Sequence, residues 1–263
     1  RASGMWAWSG CLCMLLSGAV ALVNNLKVQG TWYHECRWKG LDMASVRVLH
    51  RLIIAFSLLA MAGGLIGTVT AQGRERHVLS LEVDGIITPV VERFIDRAVE
   101  RGEARDAELV LIHLDTPGGL LSSTRKIVEH LLNAEVPTAV YVSPRGAFAA
   151  SAGTFITAAA NFAVMAPGTN IGAASPVGSG GEELGETIKN KVTNDAAALM
   201  RSIADERGRN AEKLEETVRE ATSYSAQEAV ELNMVDLIAN DLDDLLTKLH
   251  GKEAVTPAGV VVL

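Results

Sequence analysis

Apolar residues are grouped along the chain into short runs, each followed by residues that favour turns. Residues 78–83 alternate between apolar and polar and end at Asp84-Gly85, which predicts a strand and a turn. Residues 109–114 are almost continuously apolar, which is typical of a central parallel strand covered on both faces. Residues 136–142 and 162–165 predict two further strands.

Between these runs, apolar positions recur at helical spacing. Thr88-Pro89 suits the N-cap and first position of a helix whose apolar face extends to Val99, and residues 127–132 belong to a second amphipathic helix. Strands that alternate with helices imply right-handed crossovers and an α/β layered fold. Caps and apolar runs predict the later elements: helices over about 191–206, 210–221, 225–233 and 241–249, and a last strand at 235–238.

The segment between Gly168 and Lys189 interrupts this alternation. It is rich in glycine, serine and acidic residues, and it includes Gly178-Ser179-Gly180-Gly181. Such a composition favours irregular backbone. We therefore predict a mobile connection in front of the long helix.

The N-terminal part of the chain contains an export signal. From Met43, Arg47 and Arg51 precede the uncharged run 52–73, which matches a positive n-region followed by an apolar h-region. Val69-Thr70-Ala71 then supplies small residues at the spacing that signal peptidase reads, so residues 43–71 are predicted to be cleaved after Ala71. The alternative is an uncleaved membrane anchor, because about 20 apolar residues can span a bilayer.

Residues 1–42 differ from the rest in composition. They begin with Arg1 and contain all three cysteines and all four tryptophans, without helical or strand periodicity. We interpret them as non-native read-through upstream of Met43. The alternative, a first membrane segment at residues 11–23, is too short to cross a bilayer comfortably.

Composition and charge narrow the class of protein. The chain is 48% hydrophobic and 21% charged, which excludes a disordered or disulfide-built protein. Residues 1–73 hold six of the 24 basic and two of the 31 acidic residues, which leaves 18 basic against 29 acidic in the remaining 190. That acidic body disfavours nucleic-acid binding. No His, Cys, Asp or Glu group has metal-ligand spacing, and no cofactor is predicted.

Small residues surround one serine in a pattern that favours nucleophilic chemistry. Ser151 lies between Ala149-Ala150 and Ala152-Gly153, so a substrate could approach its hydroxyl at the start of a helix. The free N–H groups of that helix terminus, beginning with Ala152, could hold an oxyanion. The alternative is that small residues only allow the helix to pack closely.

Gly118-Gly119, directly after the second predicted strand, could aim another N–H at an oxyanion, although a plain turn is the favoured explanation of the pair taken alone. A serine also needs a base. Sequence positions 131–249 contain no histidine, and His113 and His130 are interpreted as structural. A lysine kept neutral by its surroundings is the other known base. Lys191 is the candidate, with Lys189 as the alternative.

With these residues assembled, the chain resembles the N-terminal protease domain of the NfeD family, membrane-bound Clp-class serine proteases encoded beside stomatin-like proteins. The resemblance covers about residues 77–250. Four ordered motifs carry it: DTPGG at 115–119, GAFAASAGT at 146–154, MAPGTNIGA at 165–173 and KVTN at 191–194.

The resemblance implies a Clp protease/crotonase-like layered fold over residues 72–250, with parallel β-sheets flanked by helices, and peptide hydrolysis by a Ser–Lys dyad. Ser151 matches the nucleophile and Lys191 the general base. Gly119 and the N–H of Ala152 fall where the family builds its oxyanion hole, with Gly118 as a competitor for the first position. Residues 176–189 would form a lid.

The resemblance also implies the substrates, the partner, the oligomeric state and the localisation of the protein. The expected substrates are hydrophobic segments of membrane-associated proteins, with a stomatin- or prohibitin-like partner, in a homodimer or larger oligomer. The protease domain is expected to be membrane-associated on the extracytoplasmic side. Three alternatives are a signal-peptide-peptidase relative, a crotonase acting on acyl-CoA, which secretion disfavours, and a non-catalytic scaffold for a stomatin-like protein.

The C-terminal end departs from the family pattern. Longer members continue into a membrane region, whereas this sequence ends after the apolar residues 260–263. We expect a fragment in which residues 251–263 form a linker toward that region; the alternative is a short form of the family.

Overall fold

The computed structural model describes residues 47–48, 51–54, 77–177 and 185–263. The chain divides into two compact units, residues 1–72 and residues 73–263. In the first unit, the described residues 47–48 and 51–54 are helical and exposed. The predicted read-through at 1–42 and most of the predicted signal segment lie outside the described residues. None of the helices in the described ranges has the length and apolar character needed to cross a membrane.

A five-stranded parallel sheet forms the centre of the second unit. Its strands, in spatial order, are β1 (Val78–Asp84), β2 (Leu109–Asp115), β3 (Thr138–Val142), β5 (Phe162–Met165) and β8 (Leu237–Ile238). All four pairings are parallel, as the crossovers implied. The predicted strands at 78–83, 109–114 and 162–165 are confirmed. The strand predicted at 136–142 begins two residues later, at Thr138, because Pro137 has no N–H to donate to a neighbouring strand.

Seven helices are described in the second unit. They are α1 (Pro89–Ala104), α2 (Leu121–Asn133), α3 (Ala152–Ala159), α4 (Glu186–Arg207), α5 (Ala211–Arg219), α6 (Ala226–Glu231) and α7 (Leu242–Leu249). The predicted caps are confirmed: Thr88 and Asn210 accept hydrogen bonds from the first turns of α1 and α5, and Ser225 with Glu228 forms a capping box.

A second sheet, which the sequence did not predict, joins three very short strands. β4 (Phe148–Ala149) pairs in parallel with β6 (Asn170–Gly172), and β6 pairs in antiparallel with β7 (Ser223–Ser225). Segments of two or three residues are too short for periodicity to reveal. This sheet places the residues before Ser151 beside the motif at 165–173.

The interpretation of residues 251–263 as a linker is corrected by the structure. β9 (Glu253–Thr256) and β10 (Gly259–Val262) form an antiparallel hairpin with Pro257-Ala258 at its turn. Ala254 and Thr256 are buried, whereas Val255 is 69% exposed, which is the alternation of a strand covered on one face. A hydrogen bond connects the hairpin to the rest of the domain: Asn161 donates its side-chain N–H to Val255 O over 2.8 Å.

The core lies on both faces of the main sheet. Alternate residues of β2 point to opposite sides: Val110, Ile112 and Leu114 join one buried cluster, and Leu109 and Leu111 join the other. Helices α1 to α6 contribute to the first cluster, and α7 and the hairpin contribute to the second. The second unit is therefore a layered α/β domain, in agreement with the predicted fold class.

Two arginines at the C-terminal end of the long helix α4, one in its last turn and one just after it, fix the far end of helix α3. Arg207 Nε donates to Ala159 O over 2.8 Å, and Arg209 Nη1 donates to Ala158 O over 2.6 Å. Arg209 is 6% exposed and pairs with Asp236 Oδ2 at 2.7 Å. The carbonyls at a helix end need such donors, so these side chains hold α3 in place from its C-terminal end.

Removal of the carboxylate that pairs with Arg209 is expected to destabilise the domain strongly. Asp236→Ala leaves a buried guanidinium without its counter-ion and also removes the acceptor of the Ala163 N–H, at 2.6 Å. We expect a loss of about 3 kcal/mol in the free energy of unfolding, measured by urea titration. Asp205→Ala, at an exposed carboxylate of α4, is the control and should change it by less than about 0.5 kcal/mol. Equal effects of the two changes would contradict a structural role of the pair.

Candidate active site

Ser151 occupies the turn between strand β4 and helix α3, where it is the N-cap residue. Its backbone has φ 48° and ψ −111°, a combination that residues with a side chain rarely adopt. The Ser151 N–H donates to Ala173 O over 2.7 Å, and the N–H of Thr154 donates to Ser151 O over 3.1 Å. These bonds hold the hydroxyl at the start of a helix, where the dipole is positive.

Glycines are needed around Ser151 because other segments approach it closely. A Cβ on Gly118 would lie 2.6 Å from Ser151 Cβ and 3.0 Å from its Oγ. A Cβ on Gly153 would lie 2.6 Å from the methyl carbon of Thr116. Close packing and access to the hydroxyl therefore both explain the small residues, and the two sequence-based interpretations are not exclusive.

The loop that follows strand β2 lies against the segment before helix α1. Ile87 N donates to Gly118 O over 2.8 Å, and Leu120 N donates to Ile87 O over 3.0 Å. A Cβ on Gly119 would lie only 2.1 Å from Ile87 O, so this approach requires glycine. The loop is thereby fixed beside Ser151.

Two backbone N–H groups near Ser151 are available to a ligand. Within the described residues, the N–H groups of Gly119 and Ala152 donate to no protein acceptor, and both residues line the same cavity as Ser151. The N–H of Gly118 donates to Thr116 Oγ1 over 3.0 Å. Gly118 is therefore the weaker of the two glycine candidates, because its donor is already used inside the protein.

The cavity beside Ser151 has a volume of about 750 Å³ and mostly apolar walls. Its larger apolar lining residues include Ile86, Leu120, Phe155 of helix α3, Val177 and Val192 of helix α4. Ile86 is 63% exposed and Val177 is 71% exposed. An apolar cavity with a hydroxyl and two free N–H groups suits an extended, hydrophobic chain.

The two candidate lysines lie on helix α4. The helix begins at Glu186, five residues before the predicted start, so Lys189 and Lys191 are both helical. Both are exposed, and neither lines the cavity, although Val192 does. Burial begins farther along the helix, at Ala196. The structure thus brings Ser151, Gly119 and Ala152 together at one cavity, whereas Lys191 is exposed and does not line it.

The predicted lid at 176–189 lies partly outside the described residues, which omit 178–184. Its described ends are Pro176 and Val177, which line the cavity, and Gly185 with the first exposed turn of α4.

The two central histidines lie elsewhere. His113, on strand β2, is within 3.1 Å of Ser143 Oγ through Nδ1, and His130 pairs with Asp96 at 2.9 Å between α1 and α2. Burial lowers the pKa of His113 below its ordinary value, and the nearby Glu82 opposes that shift. No described histidine lines the cavity beside Ser151. Within 77–177 and 185–263, no group of three or more His, Cys, Asp or Glu residues could hold a metal ion.

Sequence reasoning missed two residues that shape this site. Thr116 holds Gly118 through its hydroxyl, and Ala173 accepts the Ser151 N–H through its carbonyl. Both lie inside motifs that carry the family resemblance, at 115–119 and 165–173. No local signal assigns them these contacts, because each contact joins two segments that are brought together only by the fold.

Comparison with known proteins identifies relatives. A model of the NfeD1b N-terminal domain matches residues 77–257. The membrane-bound protease PH1510 of Pyrococcus horikoshii is 36% identical over 178 residues, which are 67% of this chain and 40% of that protein. The membrane protein NfeD1b of Bacillus subtilis is 23% identical over 224 residues, 81% of this chain and 49% of that protein. This chain thus spans less than half the length of these relatives.

Solved structures agree with the fold. A lysine-to-alanine variant of the 1510-N membrane-bound stomatin-specific protease, in complex with a substrate peptide, superposes with a TM-score of 0.66 and 34% identity, over 72% of this chain and 87% of that chain. A serine-to-alanine variant gives 0.64 and 34%, over 70% and 89%. ClpP1 from Listeria monocytogenes gives 0.52 at 19% identity, over 63% and 94%, and supports the Clp-like fold alone.

The unusual backbone of Ser151 has a measurable consequence. Ser151→Gly is expected to be about 1 kcal/mol more stable than Ser151→Ala, because glycine relieves the strain at φ 48° while both lack the hydroxyl. The free energy of unfolding in urea measures the difference. At the exposed Ser202 inside helix α4, the same pair of substitutions should show the opposite order, since glycine there destabilises by about 1 kcal/mol. The same order at both positions would argue against strain at Ser151.

Proposed function

The chain belongs to the family of NfeD1b N-terminal domains, and from that premise we propose that it is a serine endopeptidase in which Ser151 and Lys191 form a catalytic dyad. The observation that carries the proposal is the combination at one cavity of Ser151, which lines it, and two N–H groups without protein acceptors. This is the set of groups that acyl transfer requires.

The proposed reaction has two halves. Ser151 Oγ attacks the carbonyl carbon of a peptide bond while the neutral amine of Lys191 accepts its proton, and the N–H groups of Gly119 and Ala152 hold the oxyanion. The lysine returns the proton to the leaving amine when the C–N bond breaks, which gives an acyl-enzyme. A water molecule, deprotonated by the same lysine, then attacks the ester carbonyl and releases Ser151.

The choice of Lys191 over Lys189 rests on position. In the two 1510-N variants, the replaced serine and lysine are 41 positions apart in that chain. Lys191 is 40 positions after Ser151 here, and Lys189 is 38 positions after it. Lys191 also directly precedes Val192, which lines the cavity.

For this reaction, the amine of Lys191 must move to within hydrogen-bond distance of Ser151 Oγ. The first turns of helix α4, Glu186–Lys191, are exposed throughout and contribute no buried residue. We propose that these turns close on the cavity when a substrate chain occupies it. The exclusion of water that follows favours the neutral form of an amine.

The proposed substrates are hydrophobic segments of membrane-associated proteins, and the apolar walls of the cavity support that choice. The relative of known structure is described as specific for a stomatin homologue, so a stomatin- or prohibitin-like protein is the proposed partner. A cleaved or anchoring segment at 43–71 would place the domain on the extracytoplasmic side of the membrane. The proposed assembly is a dimer or a larger oligomer. A scaffold that binds such a partner without cleaving it remains the second candidate.

The dyad is tested by peptide cleavage. The full chain in detergent is incubated with a hydrophobic peptide from the C-terminal region of a stomatin-like protein, and products are followed by mass spectrometry. Ser151→Ala and Lys191→Ala are each expected to lower kcat at least about a thousandfold, because each removes one partner of the proton transfer. Lys189→Ala is the matched control and should stay within about twofold. The reverse result for the two lysines would assign the base to Lys189.

The scaffold candidate makes a different prediction for the same samples. A fluorophosphonate probe should label the parent chain at Ser151 and leave Ser151→Ala unlabelled. A folded parent that binds the peptide but neither cleaves it nor reacts with the probe would favour the scaffold.

The pH dependence of activity tests the kind of base. If a neutral amine accepts the serine proton, kcat/KM should increase from pH 5 to pH 9 as the fraction of neutral lysine increases. The unfolding temperature is recorded over the same pH range so that loss of folded protein is separated from loss of the base. A flat profile over this range would contradict a lysine base.

A further inference from the structure

Thr116 is a buried polar residue that the proposed chemistry does not use directly. It follows the last residue of strand β2 and has no exposed surface. Its N–H donates to Phe148 O over 2.9 Å, and its carbonyl accepts the N–H of Ala150 over 3.1 Å. The backbone of Thr116 is therefore hydrogen-bonded to the residues before and after Ala149, in the segment that leads directly to Ser151.

The side chain of Thr116 contacts the two other segments of the site. Its Oγ1 accepts the N–H of Gly118 over 3.0 Å and lies 3.3 Å from Gly118 O. Its methyl group faces Gly153 in the first turn of helix α3, where an added Cβ would lie 2.6 Å from it. One side chain thus touches both the glycine loop and the beginning of the helix that carries the nucleophile.

These contacts matter because the two free N–H groups come from different segments. Gly119 belongs to the loop after β2, whereas Ala152 is the first residue of α3. An oxyanion needs both donors within about 3 Å of the same point, and each misplaced donor costs rate. Gly118 O and the Gly119 N–H belong to the same peptide plane, and Thr116 Oγ1 donates to that oxygen over 3.3 Å. The bond from the Gly118 N–H to Thr116 Oγ1 holds the preceding peptide plane.

We infer that Thr116 is a positioning residue that sets the distance and direction between the Gly119 and Ala152 N–H groups. The hydroxyl orients the glycine loop, and the methyl group keeps that loop at a fixed distance from helix α3. The inference rests on the proposed hydrolytic function, since it assigns a role in the oxyanion hole of that reaction.

Two conservative variants separate the hydroxyl from the methyl group. Thr116→Val keeps the shape and removes the acceptor for the Gly118 N–H, whereas Thr116→Ser keeps the acceptor and removes the methyl group. We expect Thr116→Val to lower kcat about 10- to 100-fold with KM within about twofold, because the donors act mainly on the transition state. Thr116→Ser should retain kcat to within about fivefold.

A matched control excludes a general effect of losing a buried hydroxyl. Thr217, on helix α5, is also without exposed surface and donates its Oγ1 hydrogen to Leu214 O over 2.6 Å within its own helix. Thr217→Val should leave kcat within about twofold. If Thr116→Val and Thr217→Val lowered kcat equally, or if Thr116→Val raised KM and left kcat unchanged, the positioning role would be overturned.

A second measurement does not depend on activity. Hydrogen exchange of the Gly118 amide, followed by NMR in the parent chain and both variants, should be at least about tenfold faster in Thr116→Val and near the parent rate in Thr116→Ser. Unchanged exchange in Thr116→Val would overturn the contact on which the inference stands. The exchange result and the cleavage result can also disagree. If the exchange rates follow this pattern but the parent chain cleaves no peptide, the contact between Thr116 and Gly118 is upheld. The proposed protease function, and with it the oxyanion role of that contact, would then be contradicted.

Discussion

The conformation of Ser151 is the constraint on which the site depends. A residue with a side chain at φ 48° and ψ −111° is held there only by its surroundings. The Ala173 carbonyl holds its N–H, and helix α3 fixes the chain that follows. The far end of that helix is held by Arg207 and Arg209, which donate to its last carbonyls. The position of the Ser151 hydroxyl thus depends on contacts made by Ala173, by helix α3 and by the two arginines at the end of helix α4.

The segments around Ser151 must approach one another closely, which explains why small residues surround this serine. Gly118 has no room for a Cβ because Ser151 is there, and Gly153 has none because Thr116 is there. The small residues are therefore part of the packing, and the same packing leaves the Gly119 and Ala152 N–H groups facing the cavity. Close helix packing and oxyanion binding are separate explanations of one sequence pattern, and the structure is compatible with both because the close packing leaves these two N–H groups without a protein acceptor.

The sequence predicted the elements whose information is local. The alternation in β1, the apolar run of β2 and the caps at Thr88, Asn210 and Ser225 all depend on neighbouring residues. The small sheet of β4, β6 and β7 was missed because its strands are two or three residues long and are defined by their partners. The hairpin was missed because the apolar residues 260–263 were interpreted as a lead into a membrane, although Pro257-Ala258 was a visible turn signal.

The lysine is the part of the site that local patterns constrain least, and the anchoring of helix α4 gives the physical reason. Just after Lys191, Asn194 accepts a hydrogen bond from Arg219 over 2.7 Å, and Asp195 pairs with Arg125 of helix α2. Beyond them, Ala196 and Met200 are buried. The helix is therefore fixed from about Asn194 onward and exposed before it, so Lys191 stands within one turn of the boundary. The proposed movement of Lys191 toward Ser151 would therefore require a rearrangement of the exposed turns alone, while the helix from about Asn194 onward keeps its contacts.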